Sequence, residues 1–236
     1  MLPLGDGLSG RYIMVDEALL ERLCEYADVR KGDTILEIGA GTGNLTEVLL
    51  EHGANVVAIE KDSRYFNYLE KSFKGELGLT VIRGDAVKID LPAASKVVSN
   101  IPYAISKKLI LKLIRRDYEK IVIVCQREFA KKLNAKAGDR DYRFISALAQ
   151  TVCKVKVREE VPPSAFTPKP RVWSAVVELT PKSHFDEKYA KTLQKLFNHK
   201  NKKIRNILED APKAYSEGKP CDLSPQQLLN LIKKVN

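Results

Sequence analysis

Residues 34–43 read TILEIGAGTG, a short apolar run that ends in three glycines at alternate positions. The apolar run predicts a buried β-strand, and the glycines predict a turn into a helix at 44–52. A second apolar run at 55–59 predicts the next strand, and Glu60 closes it, 21 positions after Gly39. A glycine loop after the first strand and an acid after the second are typical of a parallel sheet that binds a nucleotide-like cofactor. The acid then accepts hydrogen bonds from two ribose hydroxyls.

The rest of the chain continues this alternation of strands and helices. The pattern predicts strands at 79–83, 96–99 and 120–125 and helices at 16–27, 63–73, 106–116 and 128–135. Asp16 is expected to cap the first of these helices. The segments 152–157 and 172–179 are β-branched and apolar, and they predict two antiparallel strands at one edge of the sheet. The alternation indicates an α/β fold with a parallel, doubly wound sheet.

Beyond Pro181 the pattern becomes purely helical. It predicts helices at 186–198, 200–210 and 224–234. We therefore expect two domains: a Rossmann-like sheet domain at 1–181 and a small, basic helical subdomain at 182–236.

Composition limits the class of protein. The chain has 236 residues and a net charge of +10, which favours a polyanionic partner. It contains no run of about 18 apolar residues that would predict a transmembrane helix, and residues 1–15 do not resemble a secretory signal. The four cysteines are widely spaced, which predicts neither a zinc site nor a disulfide framework. We expect a cytoplasmic protein without a metal and without a membrane partner.

The segment Asn100-Ile101-Pro102-Tyr103 carries the most specific chemistry. An exocyclic adenine amine is a poor nucleophile because its lone pair is delocalised into the ring. The Asn100 side-chain oxygen and the Ile101 carbonyl can each accept one of its two hydrogens, which favours a pyramidal nitrogen. Pro102 stiffens the backbone, and Tyr103 can stack on an extruded base. The segment thus indicates methyl transfer to adenine, although a proline turn that only ends a strand has the same appearance.

Two further residues fit such a site. Asp85 follows the third predicted strand, where it could accept a hydrogen bond from the adenine amino group of the cofactor; a simple turn aspartate is the alternative. Phe166 lies in a proline-rich loop and is a candidate second aromatic wall, with a core-capping phenylalanine as the alternative. Cys221 could in principle serve methylation at carbon 5 of cytosine, but it falls in the helical region, away from the predicted sheet.

These residues resemble the KsgA-type ribosomal RNA adenine N6,N6-dimethyltransferases, in their archaeal and eukaryotic branch. The likeness covers about residues 8–210. It is carried by EIGAGTG at 37–43, Glu60, GDA at 84–86, NIPY at 100–103, PPSAFTPKPRVWS at 162–174 and FNHKNKKIRN at 197–206. The resemblance implies a methyltransferase sheet with S-adenosylmethionine (SAM) as cofactor. It also implies dimethylation of two adjacent adenosines in a hairpin near the 3′ end of small-subunit rRNA, with a role in ribosome biogenesis.

Site residues follow from the same resemblance. The implied catalytic residues are Asn100, Ile101, Pro102, Tyr103 and Phe166. The implied cofactor contacts are Tyr12, Met14, Gly39, Gly41, Glu60, Asp85 and Asn100. The family's N-terminal motif L-G-Q-(H/N)-F-L aligns with residues 9–14, where Arg11 replaces glutamine and Ile13 replaces phenylalanine.

Basic residues predict where RNA binds. Five basic and no acidic side chains occur between Lys195 and Asn206, and the same is true of residues 107–116. In the first cluster, the predicted phosphate contacts are Lys200, Lys202, Lys203 and Arg205. A solvated helix face is the alternative.

The expected partner is small-subunit rRNA in the pre-ribosomal small subunit, bound by a monomer. Two other functions remain open. One is an adenine-N6 methyltransferase that acts on large-subunit rRNA or DNA, and the other is a non-catalytic ribosome-assembly or nucleic-acid-binding factor on the same fold.

Overall fold

The computed structural model of the chain describes residues 12–235. Residues 9–11, with the replaced glutamine of the N-terminal motif, lie outside the described residues. Contacts divide the chain into two compact units. One contains residues up to Ala130 together with 156–180, and the other contains residues 131–155 together with those from Pro181 onward.

The first unit is built on a seven-stranded sheet and a separate two-stranded ladder. The strands are β1 (Ile13–Met14), β2 (Thr34–Ile38), β3 (Asn55–Glu60), β4 (Leu79–Arg83), β5 (Lys96–Asn100), β6 (Lys120–Gln126), β7 (Cys153–Val161), β8 (Phe166–Thr167) and β9 (Ser174–Pro181). Its helices are α1 (Glu17–Ala27), α2 (Asn44–Glu51), α3 (Ser63–Ser72), α4 (Ser106–Leu113) and α5 (Arg127–Asn134), the last of which extends across the boundary.

Strand order in the large sheet is β4-β3-β2-β5-β6-β9-β7. The first five strands in this order pair in parallel, whereas β9 pairs antiparallel with β6. The order reverses between β2 and β5, which is where open α/β sheets bind ligands. The predicted α/β fold is therefore confirmed as a Rossmann-like sheet with an antiparallel edge.

Helix α1 shows how local sequence fixes this architecture. Asp16 is its N-cap, and Asp16 Oδ1 accepts a hydrogen bond from Leu19 N at 2.9 Å, as predicted. Its apolar face, which includes Leu23 and Cys24, is buried, and the helix packs against β5 and β6. The helix ends at Asp28, whose left-handed φ of 51° stops further helical hydrogen bonding.

The carboxyl ends of the parallel strands meet at one edge of the sheet. Gly39 N, after β2, donates to Ile59 O of β3 at 2.7 Å. Gly84 N, after β4, donates to Glu60 O at 3.0 Å. These backbone bonds tie the loops after three neighbouring strands together, and each predicted cofactor residue between 39 and 100 lies at or next to such a strand end.

The second unit consists of helices. They are α6 (Phe144–Val152), α7 (Glu187–Asn198), α8 (Lys213–Ser216) and α9 (Pro225–Val235), and α6, α7 and α9 pack on one another. Helix α6 was not predicted: its sequence, FISALAQTV, is short and mostly apolar, seven of its nine residues are buried, and such a run cannot be told from a buried strand by periodicity alone. This packing groups residues 131–155 with the helical unit, whereas the sequence placed them in the sheet domain.

The helix predicted at 200–210 is wrong. The segment holds only a 3₁₀ turn at Ile204–Asn206. Lys203 is extended, and Ile204 N donates to Gly218 O at 2.9 Å instead of to a carbonyl one turn earlier. Ile204 is fully buried, so packing against a distant part of the unit overrides local helix propensity.

Within residues 12–235, no helix is long and apolar enough to cross a lipid bilayer.

Candidate active site

A cavity of about 250 Å³ opens at the carboxyl edge of the sheet. It is formed by the loops that follow β2, β3, β4 and β5 and by the chain just before and within β1. Most of the predicted site residues line it, namely Tyr12, Gly39, Gly41, Glu60, Asp85, Asn100, Ile101, Pro102 and Tyr103.

The glycine loop forms one wall of the cavity. Gly39 has a φ of 78°, and a Cβ at this position would lie 3.4 Å from Cδ of Pro102. Gly41 has a φ of 59°, and its Cβ would lie 3.1 Å from Cδ1 of Ile13. Both positions favour glycine by their backbone conformation, and the absence of side chains lets a ligand approach the backbone closely.

Glu60 is held rigidly at the end of β3. Only 5% of it is exposed, yet it lines the cavity. Its Oε2 accepts a hydrogen bond from Gly41 N at 3.1 Å, and its Oε1 accepts one from Asp62 N at 2.7 Å. Each carboxylate oxygen keeps a second acceptor site, so the group can receive the two hydroxyls of a ribose.

Asp85 supplies an ionised acceptor at the end of β4. Lys61 Nζ donates to its Oδ2 at 3.1 Å, and Val87 N donates to its Oδ1 at 3.0 Å. The hydrogen bond from Lys61, and then that from Val87, lower the pKa of Asp85 below its ordinary value. Lys112 Nζ braces the following turn by donating to Ala86 O at 2.9 Å.

Asn100 is oriented by its contact with the N-terminal segment. Its Nδ2 donates to Tyr12 O at 2.8 Å. Because a backbone carbonyl only accepts hydrogen bonds, this contact fixes which amide atom faces Tyr12 and leaves Oδ1 as an acceptor. The next residue is fixed as well, since Ile101 N donates to Val124 O at 3.2 Å.

Tyr103 is held at both ends of its side chain. Its hydroxyl shares a 2.5 Å hydrogen bond with Ser174 Oγ. Its ring centroid lies 5.3 Å from that of Tyr12, and the rings are tilted by 36°. Burial raises the pKa of Tyr103, which keeps it a neutral phenol. The ring is therefore a fixed aromatic surface and not a general base.

Two of the predicted site residues, Phe166 and Met14, do not line the cavity. Phe166 in β8 is 1% exposed and pairs with Met14 of β1, and both belong to the hydrophobic core. Neighbouring residues in a strand point to opposite sides, so Ile13 faces the cavity when Met14 faces the core. The aromatic neighbour of Tyr103 in the cavity is thus Tyr12.

Several lining residues were not anticipated from the sequence. Ile38 ends β2 and Ile59 is the last residue but one of β3, each one position before a predicted site residue. Lys61 follows Glu60, so strand ends alone could have indicated all three. Tyr65 of α3 also lines the cavity but carries no such signal, because it recurs at the helical spacing of an ordinary core residue.

Three of the four predicted RNA-binding side chains have partners within the helical unit. Lys203 Nζ lies 2.7 Å from Glu217 Oε2, and Arg205 pairs with the other oxygen of the same carboxylate. Lys200 Nζ donates to Tyr142 O at 3.3 Å, and Lys202 is exposed. The hydrogen bond from Lys203 lowers the pKa of Glu217. The cluster is less positive than its sequence implies, because Glu217 offsets part of its charge.

These contacts fit SAM. The glycine loop, whose glycines have no side chains, suits the amino acid end of SAM. Glu60 suits the ribose of SAM, and Asp85 suits its adenine. All three lie where the strand order of the sheet reverses. The fold and site thus define a SAM-dependent methyltransferase. A family model described as ribosomal RNA adenine dimethylase matches residues 9–219, and the chain belongs to that family.

Relatives agree with this assignment. A probable ribosomal RNA small subunit methyltransferase A of Methanopyrus kandleri is 34% identical over 96% of this chain and 90% of its own. The corresponding protein of Methanosphaera stadtmanae is 38% identical over 83% of this chain and 73% of its own.

Solved structures support the fold. The crystal structure of a dimethyladenosine transferase from Plasmodium falciparum has a TM-score of 0.84 and 30% identity, covering 94% of this chain and 96% of that one. The 23S rRNA methyltransferase ErmE has a TM-score of 0.75 at 22% identity, covering 94% of this chain and 99% of its own, and shares the fold. The predicted family, fold and cofactor are confirmed.

Proposed function

We propose that this protein dimethylates N6 of two adjacent adenosines in a hairpin near the 3′ end of small-subunit rRNA. The observation that carries the proposal is the fixed amide of Asn100, whose Oδ1 remains an acceptor beside the glycine loop and Tyr103. The relatives named small subunit methyltransferase A support the choice of RNA. We place the protein on the pre-ribosomal small subunit in the cytoplasm, as a monomer with a role in ribosome biogenesis.

The residues of the site activate and position the amine. Bound SAM supplies an electrophilic methyl group on its sulfonium. In the first transfer, Asn100 Oδ1 and the Ile101 carbonyl accept the two amine hydrogens, which concentrates the nitrogen lone pair along the line of attack. The Tyr103 ring stacks on the base and eases the positive charge that develops on nitrogen. With SAM bound, transfer would form the N–CH₃ bond as the S–CH₃ bond breaks, and the surplus amine proton would pass to water.

Methyl transfer to isolated subunits tests the proposal. The protein is incubated with labelled SAM and with small subunits that lack the modification, and the modified bases are mapped. We expect label at two adjacent adenosines of the 3′ hairpin, both as N6,N6-dimethyladenosine. Label restricted to large-subunit rRNA or DNA would establish the rival adenine-N6 activity, and a folded, SAM-binding protein that transfers no label would point to a non-catalytic assembly factor.

We further propose that residues 182–236 form the RNA-contacting part of the helical unit. Replacing Lys200, Lys202, Lys203 and Arg205 with glutamine should weaken rRNA binding and flatten its salt dependence. Because Glu217 offsets part of this charge, we expect the logarithmic salt slope to fall by about 1 to 2, less than four unpaired cations would give. Binding measured across a salt series reads the slope.

Glu217→Gln is the matched control for this cluster. It removes the carboxylate that pairs with Lys203 and Arg205 and leaves every cation in place. We expect it to tighten RNA binding and steepen the slope. Unchanged slopes in both variants would remove the cluster from the interface.

A further inference from the structure

The segment between β8 and β9 carries an exposed aromatic surface outside the cavity. Lys169, Arg171, Val172 and Trp173 are all exposed, with Val172 and Trp173 at 42% and 43%. We call residues 169–173 the rim segment. Large apolar side chains exposed side by side are unusual on a soluble surface and mark binding sites more often than isolated ones do.

Trp173 is held in place by the start of α5. Arg127 N donates to Trp173 O at 3.0 Å, and the Arg127 guanidinium lies over the indole, 6.0 Å from its ring centroid. Arg127 NH1 donates to Glu160 Oε2 at 3.3 Å, and Glu128 Oε1 lies 3.6 Å from Arg127 Nε, so two carboxylates offset the charge of the guanidinium. Arg127 therefore orients the indole and leaves little charge for a phosphate. A fixed, half-exposed indole loses little entropy when a flat group stacks on it.

The rim segment is directly connected to the cavity. Trp173 precedes Ser174, whose Oγ shares the 2.5 Å hydrogen bond with the Tyr103 hydroxyl. Ser174 pairs with Gln126 at the carboxyl end of β6, and Asn100 ends the adjacent strand β5. Two strand spacings separate β5 from β9, about 10 Å. The indole thus lies on the same edge of the sheet as the amine-binding residues, within reach of a nucleotide that flanks the one in the cavity.

Charge selects the kind of partner. Residues 161–177 contain two basic side chains, Lys169 and Arg171, and no acidic one. Both basic side chains are exposed, four and two positions before Trp173. An aromatic surface next to cations is the arrangement with which proteins bind single-stranded nucleic acid, since bases stack on the ring while cations contact the backbone.

We propose that Trp173 stacks on an unpaired rRNA nucleotide that flanks the target adenosine, with Lys169 and Arg171 contacting its phosphates. This role rests on the proposed rRNA substrate and adds a contact that orients the strand entering the cavity. It makes Trp173 an RNA-binding residue that does not touch the reacting atoms.

Trp173 is the single tryptophan of the chain, which allows a direct test. Unlabelled hairpin RNA that spans the two adenosines is titrated into the full-length protein, and tryptophan fluorescence is followed. The same hairpin carrying an end label gives the dissociation constant by anisotropy. We expect stacking to quench the tryptophan fluorescence. The RNA concentration at half-maximal quenching should equal the dissociation constant measured by anisotropy.

Variants separate stacking from folding. Trp173→Ala should raise the dissociation constant for the hairpin by about fivefold to a hundredfold. Trp173→Phe should restore most of the affinity, because phenylalanine retains an aromatic face. Leu77→Ala removes a fully exposed apolar side chain from the loop before β4 and should leave affinity unchanged. SAM binding by all three variants should match the wild type and shows that they are folded.

The outcomes also separate this proposal from the proposed function. Unquenched fluorescence at saturating RNA, or wild-type affinity in Trp173→Ala, overturns the stacking role even if the wild-type protein dimethylates small subunits. A wild-type protein that neither binds the hairpin nor methylates subunits overturns both proposals.

Discussion

Replacing Asn100 with alanine should lower the methyl-transfer rate by about 10²- to 10³-fold, the usual cost of removing one polar group that stabilises a transition state. The variant loses Oδ1, the acceptor for one amine hydrogen, and the hydrogen bond from Nδ2 to Tyr12 O. The rate at saturating SAM and RNA measures the loss. Binding of the RNA hairpin should persist, because the cations and aromatic rings that bind it are unchanged.

Asn100→Asp is the informative companion. A carboxylate keeps an acceptor for the amine but cannot donate to Tyr12 O, which it repels. We expect activity between those of the alanine variant and the wild type, together with weaker SAM binding if the contact with Tyr12 orders the wall of the cavity. A rate for Asn100→Ala within tenfold of the wild type would contradict the role given to the amide.

The site residues at strand ends could be predicted from the sequence, for a physical reason. Parallel strands bring their carboxyl ends to one edge, so a glycine loop, Glu60, Asp85 and Asn100 that each follow a predicted strand must lie near one another. The prediction needs only the order of strands and helices and not their contacts. The large sheet could also be predicted from the sequence, because its buried strands are continuous apolar runs.

Whether a residue faces the cavity or the core depends on strand register, and this could not be predicted from strand order alone. Strands β1 and β8 have two residues each, and a shift by one residue exchanges the cavity side for the core side. The sequence therefore did not show that Ile13 lines the cavity in place of Met14, or that Phe166 lies in the hydrophobic core. The pairing of Arg205 with Glu217 could not be predicted from the sequence either, since it joins residues 12 positions apart across an irregular segment.

Glu37 shows a further property that only the structure reveals. It lies within β2, is 2% exposed, and its Oε2 accepts a hydrogen bond from Thr46 Oγ1 at 2.5 Å. Burial raises its pKa from 4.5 to about 8, the hydrogen bond from Thr46 opposes this shift, and the negative charge of Glu60 adds to it. At neutral pH this carboxyl group is therefore protonated in the folded protein.

The raised pKa has a defined effect on stability. An acid whose pKa is higher in the folded state binds a proton on folding, so its contribution is fully present below pH 4.5. That contribution decreases as pH rises and is lost once pH passes the folded value of about 8. The difference between the two pKa values corresponds to roughly 4 to 5 kcal/mol, since each unit corresponds to about 1.4 kcal/mol.

Glu37→Gln should therefore stabilise the protein in alkaline solution. Glutamine fills the same space and accepts from Thr46, but it cannot ionise, so the variant avoids the cost of a buried carboxylate. Urea unfolding from below pH 4.5 to above pH 8 should show a free-energy advantage for the variant that grows with pH, up to roughly 4 kcal/mol. Glu47→Gln makes the same chemical change on the exposed side of α2 and should show no such trend. Equal pH dependence in Glu37→Gln and the wild type would contradict the raised pKa of Glu37.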